Sequence, residues 1–180
     1  MQVICISAKA RHGKDTAAEL MKEYLESIGK RVLITHYADL VKYVCTNFFG
    51  WDGNKDEKGR TLLQYIGTDV VCAQNPSYWV DFIVSILEMF EGEWDFVLIP
   101  DCRYPIEAEK VSNKFHTKIL RIFRPDFDNG LTDKQKRHPS ETCMDTFPFD
   151  ATIINDSSTA VLRDKLICWL KYEFLENNHR

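Results

Sequence analysis

The sequence predicts an α/β domain of three layers, with helices on both faces of a parallel sheet of about five strands. Three observations predict it. Strand-like and helix-like periods alternate about five times from one end of the chain to the other. One central strand-like run, Phe96-Val97-Leu98-Ile99, is continuously apolar, as in strands buried on both faces. A chain of 180 residues that is 44% hydrophobic can bury one core, and no linker, repeat or low-complexity tract divides it. The expectation is one domain over residues 1–180.

In order, residues 3–7 form a short apolar strand. A turn with Gly13 leads into a helix over residues 15–28, with Leu20, Tyr24 and Ile28 on one face and Gly29-Lys30 at its end. Residues 31–37 form a β-branched and apolar second strand. Residues 39–49 read as helix, 50–59 as a polar loop and 61–73 as helix. Asn75-Pro76-Ser77 breaks the chain and caps a helix over residues 78–90. The third strand spans residues 95–100. Pro105 sits near N1 of a helix over residues 105–115. Residues 118–123 form a strand, and 125–139 are polar and basic with no core pattern. A last strand over 150–155 precedes a closing amphipathic helix over 158–175.

A net charge of −4 and a pI near 5.7 argue against a general electrostatic grip on nucleic acid. No two of the six cysteines are spaced as CxxC, and no Cys/His cluster has zinc-finger spacing. The opening MQVICIS has neither a basic stretch nor a leader-like apolar region, and no apolar run is long enough to span a bilayer. The expectation is a cytoplasmic protein with free thiols and no membrane partner.

The sharpest motif lies between the first strand and the first helix, Ala8-Lys9-Ala10-Arg11-His12-Gly13-Lys14-Asp15-Thr16. A phosphate-binding P-loop reads GxxxxGK followed by Ser or Thr in this context. Gly13-Lys14 stands in register, with Ala8 at the first glycine and Asp15 at the hydroxyl position. The chemistry still fits. Backbone N–H groups of Ala10, Arg11, His12 and Gly13 and of the helix start form an anion nest, reinforced by the helix dipole. Lys14 reaches the β- and γ-phosphates of ATP, Arg11 adds a donor near the γ-phosphate, and Thr16 offers a hydroxyl to the α-phosphate. Asp15 takes the Mg²⁺-facing place, directly or through water. A P-loop NTPase fold follows.

These residues resemble the phage-type deoxynucleoside monophosphate kinases, within the nucleoside monophosphate kinase group of P-loop proteins. The family's "GKxRxGKDT" is similar to AKARHGKDT here. Tyr37-Ala38-Asp39-Leu40-Val41-Lys42 is similar to its "xADxLK", and residues 60–69, RTLLQYIGTD, to its "RxLLQxxGTD". Asp101-Cys102-Arg103-Tyr104-Pro105, with Glu107, is similar to its "DxRxPxE". His138-Pro139-Ser140-Glu141-Thr142 and Ile154-Asn155-Asp156 complete the series. The chain also resembles, more distantly, animal phosphomevalonate kinases. The resemblance implies an adenylate-kinase-like fold, ATP and Mg²⁺ as cofactors, and small nucleotides as partners. The implied reaction is phosphorylation of a (deoxy)nucleoside monophosphate to the diphosphate. A non-nucleotide acceptor such as phosphomevalonate is the alternative, as is a P-loop ATPase or nucleotide sensor. An Arg that relatives carry after the GTD segment is replaced by Val70-Val71-Cys72-Ala73, which leaves Arg60 or Lys42 to meet the acceptor phosphate.

Asp39 and Lys42 lie past the second strand, at the edge where open parallel sheets bind ligands. They read either as acceptor-binding residues or as a helix cap and a surface lysine. Asp101 ends the third strand at a Walker-B-like place, to hold Mg²⁺ through water or to orient Arg103, whose guanidinium fits a phosphate. Gln64, Tyr78 and Trp79 suit a base pocket, Trp79 equally a core position. Residues 125–139 read as a lid that carries Arg124 and Arg137 onto the transferring phosphoryl group and excludes water. The exposed side of the helix over 78–90 is compatible with a monomer or a homodimer.

Overall fold

The computed structural model describes residues 1–175. Five strands form one sheet: β1 (Gln2–Ser7), β2 (Val32–Ile34), β3 (Phe96–Ile99), β4 (His116–Phe123) and β5 (Ala151–Ile154). Their order is β2-β3-β1-β4-β5, and every neighbouring pair is parallel. All carboxyl ends therefore share one edge, with the end of β1 at its middle.

Side chains alternate across β1 with period two. Val3 and Cys5 enter one core with Val97, Ile99, Trp79, Val80, Ile83 and Leu87. These come from β3 and from α4 (Tyr78–Met89). Ile4 and Ile6 enter the opposite core with Ala17, Met21 and Leu25 of α1 (Lys14–Ser27) and Leu162, Leu166 and Leu170 of α8 (Thr159–Leu170). Each such Leu or Ile stabilises the fold by about 1.5–3 kcal/mol. The remaining helices are α2 (Ala38–Phe49), α3 (Glu57–Gln64), α5 (Pro105–Ser112) and two single turns, α6 (Asp133–Lys136) and α7 (Pro139–Thr142).

Some local expectations change. The second strand is shorter than residues 31–37, because the backbone of Tyr37 is already helical at the α2 N-cap. The helix expected over 61–73 starts earlier, where the Asp56 carboxylate accepts from Gly59 N–H at 2.7 Å. Gly59 reads as a loop residue but sits inside α3, where only glycine fits, since a Cβ would lie 2.0 Å from the Asn54 carbonyl oxygen. From Tyr65 to Cys72 this helix widens to π geometry, and the Gly67 carbonyl accepts from Trp79 Nε1 at 2.8 Å. Ser77 makes no cap hydrogen bond to the backbone of α4; its hydroxyl bonds the Asp81 carboxylate at 2.6 Å. Within the polar segment 125–139, Thr132 and Gln135 close a capping box around α6. The closing helix is α8 followed by a π turn, Lys171–Leu175. No helix among the described residues is long and apolar enough to cross a membrane.

Candidate active site

The turn after β1 is shaped by two left-handed residues, Arg11 (φ 64°) and Gly13 (φ 98°). Ala8 is not one of them, so the missing first glycine needs no special backbone. At Gly13 a Cβ would lie 2.7 Å from Asn155 Nδ2, the atom that donates to the His12 carbonyl at 3.0 Å. Glycine is therefore required there by conformation and by space. No side chain caps α1, so the first-turn N–H groups of Lys14, Asp15 and Thr16 are left to face an anion. Arg11 does not face the nest. Its Nη1 donates to the Asn129 carbonyl at 2.9 Å and ties the turn to segment 125–139. Contrary to expectation, the N–H groups of Ala10 and His12 are already engaged, the first by the Glu141 carboxylate at 2.9 Å and the second by the Lys9 carbonyl at 3.2 Å, because the tight turn and α7 close on them. The His12 ring is engaged as well, its Nδ1 accepting from Arg124 N–H at 3.0 Å. Burial, then the charge of Lys9, lowers its pKa, which favours the neutral ring that this bond needs.

Lys14 Nζ contacts both Asp15 oxygens, at 2.6 and 2.7 Å. His36 Nε2 stands 3.6 Å from Asp15, and His36 Nδ1 is 3.2 Å from Asp39. Lys42 Nζ donates to Asp39 at 2.8 Å. The His36 contact, with Lys14, holds the Asp15 carboxyl well below the usual carboxylate range, and Asp15 in turn raises His36. An ionised, exposed acid in the first turn of α1 fits Mg²⁺, which commonly takes one or two carboxylates plus substrate phosphates. No group of three or more His, Cys, Asp or Glu among the described residues could hold a metal without that help. The Asp101 carboxylate already has a structural task. Its two oxygens accept from Tyr37 and Ala38 N–H, each at 3.0 Å, which fastens the start of α2 to the end of β3.

Beside the nest opens a cavity of about 260 Å³. Four cationic side chains border it: Lys42 from α2, Lys55 from the loop before α3, Arg60 from α3 and Arg103 after β3. Three acids, Asp101, Glu107 and Glu141, border it too, and each accepts hydrogen bonds from the protein. Gln64, Thr68, Trp79 and Tyr104 supply amide, hydroxyl and aromatic surface, and Ala10 joins the cavity to the phosphate turn. Trp79 is 7% exposed, a core residue that also lines the cavity, whereas its neighbour Tyr78 points to solvent at 47% exposed and does not line it. Arg103 does not pair with Asp101. Its Nη1 donates to Glu141 Oε1 at 2.6 Å and to the Ser140 carbonyl at 3.1 Å.

A second cavity of about 590 Å³ borders segment 125–139, between Lys9, His12, Arg121, Arg124 and Lys136. The Arg124 guanidinium lies 3.9 Å from the centre of the Phe127 ring. Arg137 ends α6, is exposed, and lines neither cavity.

Two residues here have roles that sequence reasoning did not assign. Lys55 sits in a polar loop with no periodicity to mark it. Glu107 had a signal, a glutamate at N3 behind Pro105 at N1, the spacing of a helix-start cap. Its Oε2 accepts from Arg103 N–H at 2.6 Å and Tyr104 N–H at 3.0 Å. Burial, then the charge of Asp101, pushes the Glu107 carboxyl up to about 8 from 4.5. Its proton is therefore retained on folding between those values, so the unfolded chain binds fewer protons and stability falls as pH rises from about 5 to about 8. Glu107→Gln keeps an oxygen for both amides and removes that ionisation. The melting temperature of E107Q is expected to exceed wild type at pH 8 by a margin that shrinks toward pH 5. A constant margin in melts across that range would show that Glu107 does not retain a proton.

A family model described as deoxynucleotide monophosphate kinase matches residues 51–166. The chain is 27% identical over 168 residues to uncharacterized protein ORF77 of Ictalurid herpesvirus 1 (strain Auburn), covering 93% of this chain and 69% of that one. It is 27% identical over 114 residues to the deoxynucleotide monophosphate kinase of Enterobacteria phage T4, covering 62% of this chain and 45% of that one. The chain thus matches less than half the length of the phage protein. Among solved structures, APS kinase of Mycobacterium tuberculosis in complex with AMPPNP and APS superposes with a TM-score of 0.57 at 10% identity, covering 94% of this chain and 97% of that one. Shikimate kinase of Aquifex aeolicus vf5 gives 0.53 at 12% identity, covering 97% and 99%. These likenesses show the P-loop kinase fold.

Proposed function

Because the chain belongs to the deoxynucleotide monophosphate kinase family, we propose that it transfers the γ-phosphoryl group of ATP to a deoxynucleoside monophosphate, giving ADP and the diphosphate. The observation that carries this reading is the cavity beside Ala10. It sets Lys42, Lys55, Arg60 and Arg103 around a space next to the phosphate turn, with Trp79 and Gln64 on its wall. A site that only hydrolysed or sensed ATP would need no second cationic cavity. The six free thiols fit a reducing, cytoplasmic setting.

The acceptor phosphate is already an anionic nucleophile, so the protein's task is alignment and charge compensation. In this reading Lys14 and the α1 amides hold the donor phosphates, and Asp15 holds Mg²⁺, which neutralises phosphate charge when bound. Arg103, Arg60, Lys42 and Lys55 hold the acceptor phosphate. Trp79 presents an aromatic edge and Gln64 an amide to the base. Segment 125–139, anchored by Arg11 and His12, is the lid, and its closure would carry Arg124 and Arg137 inward and exclude water.

The test is ADP release from ATP and Mg²⁺ with dAMP, dGMP, dCMP, dTMP, their ribonucleotide counterparts and phosphomevalonate. Turnover with at least one deoxynucleotide, well above the rate without acceptor, is expected. ADP release indifferent to every acceptor would sink the proposal.

A further inference from the structure

Glu141 is the one residue among those described that borders both cavities. Its two carboxylate oxygens face different halves of the site. Oε1 accepts from Arg103 Nη1 at 2.6 Å, and Oε2 accepts from the Ala10 N–H of the phosphate turn at 2.9 Å. The side chain is 8% exposed. Its placement is rigid. Pro139 opens α7, the His138 ring accepts from Ser140 N–H at 3.2 Å, and the Ser140 carbonyl takes the same Arg103 nitrogen at 3.1 Å. Arg103 Nη1 is thereby fully engaged. Nε and Nη2 have no protein partner among the described residues, which leaves three N–H groups for a ligand.

We propose that Glu141 is a positioning residue that couples the acceptor site to the phosphate turn. It acts through Arg103 on one side and Ala10 on the other, and this rests on the kinase reading above. The physical basis is charge balance. Paired with Arg103, the carboxylate orients that guanidinium and is neutralised by it. Without Arg103 it is an uncompensated anion on the first amide of a nest built for phosphate, and it repels the donor. Arg103 therefore acts on donor affinity only through Glu141. A glutamate that merely held α7 in place would leave the two effects independent.

A double-mutant cycle decides it without any acceptor. The affinity of the β,γ-imido analogue of ATP with Mg²⁺ is measured by calorimetry for wild type, Arg103→Ala, Glu141→Ala and the double variant. Arg103→Met replaces Arg103→Ala if the latter does not melt cooperatively. Removing Arg103 is expected to weaken analogue binding about tenfold when Glu141 is present, and by less than about twofold in the Glu141→Ala background. Glu141→Gln, whose amide oxygen accepts only one of the two bonds, is expected to raise the acceptor KM several-fold while kcat changes little, in protein that still melts cooperatively. Equal effects of Arg103 removal in both backgrounds would overturn the coupling while leaving the kinase assignment standing. A non-additive cycle in a protein that phosphorylates none of the acceptors would keep the coupling and overturn the acceptor assignment. Wild-type protein that does not bind the analogue would overturn both.

Discussion

Lys14→Ala is expected to lower kcat for ADP release by about 10²–10³-fold, the range seen when one preorganised donor to a developing charge is removed. Stability should barely change. Among the described residues the Lys14 ammonium pairs with Asp15 alone; the Lys14 side chain is 15% exposed and that of Asp15 65%, so the pair is open to water on the Asp15 side and contributes about 1 kcal/mol. Asp15 keeps His36 beside it in the variant. The loss should fall mainly on kcat rather than on the acceptor KM, because the charge is needed most as the phosphoryl group moves. A coupled assay beside a thermal melt separates the two quantities. Wild-type turnover by purified, folded variant would remove Lys14 from the mechanism.

Asp101→Ala should cost stability first. Its carboxylate accepts from two backbone N–H groups at the start of α2, and Asp101 is 7% exposed. Alanine strands both donors, at about 1.5–3 kcal/mol for each charge-assisted bond before the site relaxes. A net loss near 2–4 kcal/mol lowers the melting temperature of a chain this long by about 5–12 °C. Tyr37 and Ala38 also line the cavity proposed for the acceptor, so the acceptor KM should rise with the loosened helix start. Asn is not a safe substitute, since its NH₂ would face one of the two N–H donors. A melting temperature within a degree or two of wild type would mean that α2 is held by other means.

The two variants mark different depths of legibility. Lys14 was readable at once, because a glycine and a lysine between an apolar strand and a helix carry their chemistry in adjacent residues. The place of Asp101 at the end of a buried strand was equally readable. Its partners were not. The expected contact with Arg103 gave way to Tyr37 and Ala38, and Arg103 turned to a residue 38 positions downstream. The lid assignment for 125–139 stays a proposal, while its one helical turn and the Arg11 tether to Asn129 belong to the observed structure.

Strand and helix periods, the phosphate turn and the clustering of candidate residues at strand ends were determined by the sequence alone. Each depends on neighbours within a few positions. The order β2-β3-β1-β4-β5, the entry of Lys55 into the cavity, the π widening that turns Gly67 toward Trp79, and the bridge from Glu141 to Ala10 were decided only by the tertiary structure. The last of these joins groups 131 residues apart. Periodicity encodes which face of an element is buried, but which elements meet depends on how the crossovers pack. Hydrogen-bond partners for buried charge are chosen there, after the layers have closed.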